Sequence, residues 1–302
     1  MKREMNKQFF FIPMILLFLL SACSSPELVS VAESGAETEE GPRIISTTVA
    51  ITEIMDALAI DLVGVPTSYK ELPERYKNAT EVGNVKTPDI EIIKWLKPTD
   101  VLNVSTLEYD LKPIYEQAGI SASFLNLDSV GNMLGTIGEL GAKYNREKQA
   151  TAIISEINNK IEKVKADVEG IEKPSVLILL GIPGSYLVAT EHSYIGDLVK
   201  ILGGENVVTG EKVEYVASNT EYLQQANPDI ILRAAHGMPD EVVAMFDQEF
   251  RENDIWKHFD AVKNGRVYDL EERLFGTTGS LAVLEAMEEL EKMMYPSLQV
   301  EN

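Results

Sequence analysis

Hydrophobic and polar positions divide this chain into three regimes. Phe9–Leu20 is a nearly unbroken apolar run, and Ser24–Pro42 (SSPELVSVAESGAETEEGP) is polar with no apolar period. From Arg43 onward, short β-branched runs alternate with helix-length amphipathic segments, which predicts an α/β fold with mostly parallel strands. In the first half, Thr47-Thr48 is placed to cap a helix reaching about Leu58, followed by a strand at Leu62–Val65 that ends at Pro66. A short helix, Ile90–Leu96, is stopped by Pro98 and leads into a strand at Val101–Val104. A segment from Ile114 to Ala118, a strand at Ser123–Leu125 and a helix over Met133–Leu140 complete this half. In the second half the pattern gives strands at Ser175–Leu180, Ile230–Leu232 and Val267-Tyr268, with helices at Ile195–Leu202, Glu241–Phe246 and Leu281–Met294.

Between the halves, Ile153, Ile157, Ile161, Val164 and Val168 recur every three or four residues, which predicts one amphipathic helix over residues 145–169. At 1.5 Å per residue it would reach nearly 40 Å, the width of a domain. The fold expected is therefore two Rossmann-like lobes joined by one long backbone helix, with a ligand cleft between them and little hinge motion. An internal echo supports two lobes of one kind. Glu91-Ile92-Ile93-Lys94-Trp95-Leu96-Lys97-Pro98 reappears as Glu221-Tyr222-Leu223-Gln224-Gln225-Ala226-Asn227-Pro228, each copy running into an apolar strand.

Composition fixes the setting. Lys2, Arg3 and Lys7 precede the Phe9–Leu20 run, which is shorter than the roughly 20 residues of a membrane span, so the start reads as a removable secretory signal. It closes on Leu20-Ser21-Ala22-Cys23, the lipobox pattern, and Cys23 is the only cysteine, better suited to acylation than to a disulfide. Residues 24–42 then read as a disordered stalk holding the folded part off the membrane. Loss of residues 1–22 takes the formal net charge from −21 to −23. Such a chain repels nucleic acid and anionic lipid. The boundaries expected are 1–22 signal, 23–42 lipidated cysteine and stalk, 43–144 first lobe, 145–169 linking helix and 170–296 second lobe.

Catalytic patterns are missing: the chain has no HExxH, CxxC, GxSxG or Walker loop, and Gly276-Thr277-Thr278-Gly279-Ser280 lacks the lysine a phosphate loop needs. The reading is of a binding protein, not an enzyme. Of the three histidines, His192 and His258 read as surface or capping residues. His236 stands apart: it follows the Ile230–Leu232 run and precedes a helix start at Gly237-Met238-Pro239, on a loop at the carboxyl end of a strand, where open α/β sheets bind ligands. With no second histidine or cysteine nearby in sequence, zinc is poorly served, whereas one imidazole suffices for a haem iron.

Residues 43 to about 295 resemble the substrate-binding proteins of ABC importers that have two lobes joined by a backbone helix. Within that class they resemble the haem-receptor lipoproteins of the Gram-positive iron-regulated surface determinant systems. The resemblance is carried by Gly64–Lys70 (GVPTSYK), Pro183–Thr190 (PGSYLVAT), Ser193–Lys200 (SYIGDLVK), Gly203–Asn206 (GGEN) and His236–Pro239 (HGMP). It implies haem in the cleft, with His236 as an axial iron ligand. The family's other axial ligand is a methionine in a Gly-x-x-Met-x-Pro loop. Here the loop reads Gly83-Asn84-Val85-Lys86-Thr87-Pro88, so Lys86 stands at that position. It would either coordinate as a neutral amine, which requires burial, or stay charged and leave the iron to His236; otherwise the ligand is not haem.

Two propionates would need donors, for which Thr47, Thr48 and Val49 at the first helix start, with Ser68 and Tyr69 on a strand-end loop, are candidates. The competing reading is that Thr47 simply caps its helix and Tyr69 packs. Glu91 and Glu221, matched in the internal echo, occupy the places where this importer class presents one glutamate per lobe to the permease. The protein implied is a monomeric receptor, lipid-anchored on the outer face of the cell membrane. It would take haem from a surface protein and deliver it to an ABC permease and its ATPase. A ferric siderophore or corrinoid receptor of the same class is the alternative.

Overall fold

A computed structural model describes residues 41–299; the signal segment and Cys23 lie outside them. The first lobe runs β1 (Ile44–Ser46), α1 (Val49–Ala57), β2 (Gly64–Val65), β3 (Thr80–Glu81), β4 (Gly83–Asn84), β5 (Thr87–Pro88), α2 (Ile90–Trp95), β6 (Asp100–Val104), α3 (Glu108–Gln117), β7 (Ala122–Leu125) and α4 (Val130–Lys143). Its main sheet, ordered β3-β2-β1-β6-β7, is parallel throughout, while β4 and β5 form a separate hairpin. After α5 (Glu147–Asp167), the second lobe runs β8 (Ser175–Ile182), β9 (Ser185–Ala189), α6 (Tyr194–Ile201), β10 (Glu205–Asn206), β11 (Tyr215–Ala217), α7 (Thr220–Ala226), β12 (Ile230–Ala235), α8 (Pro239–Glu252), α9 (Asp260–Lys263), β13 (Val267–Leu270) and α10 (Val283–Met294). Its sheet is ordered β11-β9-β8-β12-β13, with β10 beside β8. Strands β8, β10, β12 and β13 are parallel, but β9 runs antiparallel to both of its neighbours.

The internal echo is structural. Asp89 caps α2 and Asn219 caps α7, each through a side-chain oxygen that accepts the N–H three residues on. Each helix ends at a left-handed residue before the proline, Lys97 (φ 46°) and Asn227 (φ 40°), and each leads into a central strand, β6 or β12. The same turn thus feeds the same strand position in both sheets.

The linking helix is α5, 21 residues and therefore about 32 Å long. It is shorter than its apolar stripe suggested because the chain reverses from α4 at Asn145 (φ 56°). Ile157 and Val164 are buried, with Ile153, Ile161 and Val168 packed at the edge of the same core. That core is continuous: it holds Ile44 and Leu102 of the first sheet, Ile178 and Leu232 of the second, and Met287 and Leu290 of α10. Lys160 of α5 pairs with Glu288 of α10 at 2.8 Å. The segment after β13 also meets the first lobe, where the Gly279 N–H donates to the Leu127 carbonyl at 2.6 Å. A side chain at Gly279 would press on Met133 Sδ at 3.0 Å. The lobes are therefore held by α5, by α10 alongside it and by this second contact.

Two differences from the sequence pattern have local causes. Helix α3 begins at Glu108, ahead of the expected Ile114, and contains Pro113; five helical residues precede the proline, which lacks the N–H for one bond of the ladder. The β9–β11 ribbon had no assigned strands, because Ser185–Ala189 and Tyr215–Ala217 alternate too briefly to stand out from loop.

Candidate functional site

Carboxyl ends of both sheets' strands supply the walls of the cleft. On the second-lobe wall, β12 ends at Ala235 and His236 follows, its backbone N–H donating to the Gly181 carbonyl at 2.9 Å. Gly237 (φ 72°) and Met238 (φ 50°) are both left-handed, so the chain turns sharply before Pro239 opens α8. The turn keeps His236 at the end of its strand, half-buried. Burial lowers its pKa below the ordinary 6.5, and the charges of Lys86 and then Lys70 lower it further against an opposing pull from Glu272. The imidazole is therefore neutral at physiological pH, the form that binds iron.

Lys86 sits in the two-residue turn of the β4–β5 hairpin, with its N–H on Asn84 Oδ1 at 3.0 Å. The hairpin is tied to the neighbouring loop by the Thr67 N–H, which donates to the Gly83 carbonyl at 2.9 Å. Lys86 is exposed, without the burial that a coordinating neutral amine requires. Its charge nevertheless acts on His236, so two of the sequence candidates, from opposite lobes, share one electrostatic neighbourhood.

At the start of α1, Thr47 is buried and spends both its N–H and its hydroxyl on the Leu102 carbonyl, at 3.1 and 3.0 Å. Thr48 is the N-cap, its Oγ1 accepting from Ile51 N at 3.3 Å. What the terminus offers a ligand is then the first-turn N–H groups, those of Thr48 and Val49 among them, rather than the threonine hydroxyls. Ser68 is exposed, and its Oγ accepts from Lys70 N at 3.0 Å, leaving its hydroxyl hydrogen for another acceptor. Tyr69 is 72% exposed, yet its phenol reaches across to Glu272 Oε1 at 2.6 Å. Packing alone therefore does not account for Tyr69.

Exposed apolar side chains follow strand ends in both lobes: Tyr69 in the loop after β2, Ile182 at the end of β8 and Met238 in the turn after β12. Beside them are Lys70, Lys86 and the buried Glu272. Such walls suit a flat, largely apolar ligand that carries anionic groups at its edge. Glu272 escaped the sequence reading because Glu271-Glu272-Arg273 looks like any polar loop; only the register of β13 beside β12 brings it to His236.

A separate interlobe cavity of about 820 Å³ is lined by Asp128, Glu191, Asp197, Glu214, Lys212 and Tyr215, among others, and touches neither His236 nor Lys86. Burial raises the Asp197 and Glu214 carboxyls there, and Asp197 accepts the Val130 N–H at the start of α4 at 2.8 Å, tying the lobes. Its carboxylates disfavour an anionic ligand. Among the described residues, no group of three or more His, Cys, Asp or Glu side chains is arranged to hold a bare metal ion. His192 and His258 are exposed, as their sequence context indicated. Glu91 is exposed on α2, with Trp95 one turn on and 73% exposed; Glu221 is the second residue of α7.

Relatives share this architecture nearly end to end. The chain is 47% identical over 282 residues to the high-affinity heme uptake system protein IsdE of Staphylococcus aureus, covering 93% of this chain and 95% of that one. The crystal structure of S. aureus IsdE complexed with heme superposes with a TM-score of 0.81 at 49% identity, over 84% of this chain and 99% of that chain. An ABC transporter substrate-binding protein from Listeria monocytogenes gives the same TM-score at 60% identity, over the same shares. Residues 44–274 match the family model described as periplasmic binding protein, and with two α/β lobes joined by a helix the chain belongs to that family.

Proposed function

We propose that this protein is the receptor of an ABC importer, binding haem between its lobes and passing it to a membrane permease driven by a cytoplasmic ATPase. The observation that carries this reading is His236: a neutral, half-buried imidazole at a strand end, faced from the opposite lobe by a lysine and flanked by exposed tyrosine and aliphatic surface. The named relatives that bind heme add support.

His236 would hold the iron. Lys86, cationic and exposed, would stand by the porphyrin as a charge rather than as the second iron ligand. The Thr48 and Val49 N–H groups and the Ser68 hydroxyl would receive the propionates, with Thr47 fixing the helix start through Leu102 and the Tyr69 ring, its hydroxyl spent on Glu272, lining the cleft. Glu91 and Glu221 would dock the permease, and Trp95, four residues after Glu91 and so on the same face of α2, would add apolar contact to that surface.

Cys23 would carry the lipid that keeps the receptor at the outer face of the membrane, supplied with haem by a surface protein, and no chemistry would be done on the cargo. The division at 43–144, 145–169 and 170–296 fits delivery by one lobe to each half of a permease. The test is growth on hemin as sole iron source. Deleting the gene should abolish it, and the wild-type gene but not His236→Ala should restore it; undiminished growth of the deletion strain contradicts the proposal.

A further inference from the structure

The cleft is bridged by a single carboxylate oxygen. Glu272 Oε1 accepts the Tyr69 phenol at 2.6 Å and the Gly237 N–H at 3.2 Å, and lies 3.8 Å from Lys70 Nζ. Tyr69 and Lys70 belong to the first lobe, Gly237 and Glu272 to the second. Glu272 is only 9% exposed, and a carboxylate so buried is costly unless it is paired. Two of its three partners come from the opposite wall, so its pairing depends on the lobes staying together. Its third partner is the peptide directly after His236, at the first of two consecutive left-handed residues, where an unpinned chain has every reason to relax.

We infer that Glu272 is a cross-cleft strut, a positioning residue that couples closure of the lobes to presentation of His236 and so sets how long the ligand is retained. The inference rests on the haem reading for its ligand but not for its geometry. When the lobes part, Glu272 keeps only Gly237, and the carboxylate is left exposed to water without its two cross-lobe donors. Closure restores them and at the same time locks the His236 turn. Burial and the bond to Glu272 push the Tyr69 hydroxyl up to about 12, so it remains a donor across the physiological range. Its ring, held by the hydroxyl yet 72% exposed, becomes a fixed flat face at the cleft mouth.

The test is a double-mutant cycle on purified protein with Tyr69→Phe, Glu272→Ala and the pair, read in two ways. Hemin-loaded protein is mixed with excess apomyoglobin. Each single variant should release hemin roughly tenfold faster, the pair should be no faster than the worse single, and Glu272→Gln, which keeps an acceptor, should recover part of the loss. The visible spectrum should stay that of the wild type in Tyr69→Phe, which leaves Gly237 on Glu272, and change in Glu272→Ala, which frees the turn that presents His236. In ligand-free protein the same cycle should give non-additive losses in Tm, with a coupling of about 2–4 °C. Multiplicative release rates or additive Tm losses would overturn the strut. If the wild type binds no hemin, the haem reading has failed, and the ligand-free cycle still decides the strut.

Discussion

The Gly181 carbonyl accepts the His236 N–H at 2.9 Å, and the same glycine is what lets α8 lie directly on β8. A Cβ there would fall 2.3 Å from Val242 Cγ1 and 2.7 Å from Phe246 Cε2, both on α8. Gly181→Ala must therefore push away the helix that begins three residues after His236. The expected cost is about 1–3 kcal/mol of stability together with weakened hemin binding, read by thermal melting and by titration.

Protonation of His236 competes with iron, so ligand binding inherits its titration. Burial first, and then the charges of Lys86 and Lys70, hold its pKa below 6.5. Hemin affinity should therefore fall on the acid side, along a limb displaced below that of an ordinary histidine. The folding term has the same sign: below 6.5 the unfolded histidine takes its proton before the folded one does, so this contribution to stability declines as pH falls through that window. A pH series of hemin titrations on the wild type locates the acid limb, and thermal melting of the ligand-free protein over the same pH range, with His236→Ala as the reference, checks the sign of the folding term.

Lys86→Gln removes one of those charges without supplying a thioether to the iron. The His236 pKa should rise, and the acid limb of hemin binding should move to higher pH. Lys86→Ala should leave the haem spectrum at neutral pH unchanged, since an exposed ammonium is not on the iron. A changed spectrum in that variant would place Lys86 in the coordination sphere.

Permease docking separates cleanly from ligand binding. Reversing Glu91 and Glu221 to lysine, or replacing Trp95 with alanine, should abolish or sharply reduce hemin-dependent growth while leaving hemin affinity within twofold of wild type. Thermal melting should move little for Trp95→Ala, because the indole is 73% exposed. Loss of affinity alongside transport would refute the assignment.

Cys23→Ser should abolish labelling by radioactive palmitate and release the protein into the medium, with the processing of residues 1–22 read from its size.

Much of this was legible in the sequence, for reasons specific to each element. Strand ends were readable because β6 and β12 are apolar runs stopped by polar loops, so His236 could be placed at the mouth of a sheet from its neighbours alone. The echo around Glu91 and Glu221 was readable because helix, proline and buried strand each impose their own residues, and it reappears as matching caps and matching left-handed residues. Glu272 was not, since its importance arises from contacts 35 and 203 residues away, to Gly237 and Tyr69. That Thr47 spends both its N–H and its hydroxyl on Leu102 is hidden for a similar reason: the acceptor comes from a strand that becomes its neighbour only when the sheet forms. The α10 packing along α5 was hidden likewise, for an amphipathic stripe shows that a helix is covered but not by what.

The central claim is that haem is the ligand and His236 its anchor. Titration of purified protein with hemin, followed by visible absorption, tests it most directly. A saturable one-to-one shift of the Soret band, lost in His236→Ala and kept in Lys86→Ala, is the result this account predicts. Absence of any saturable shift in the wild-type protein, or a shift unchanged by His236→Ala, would contradict it.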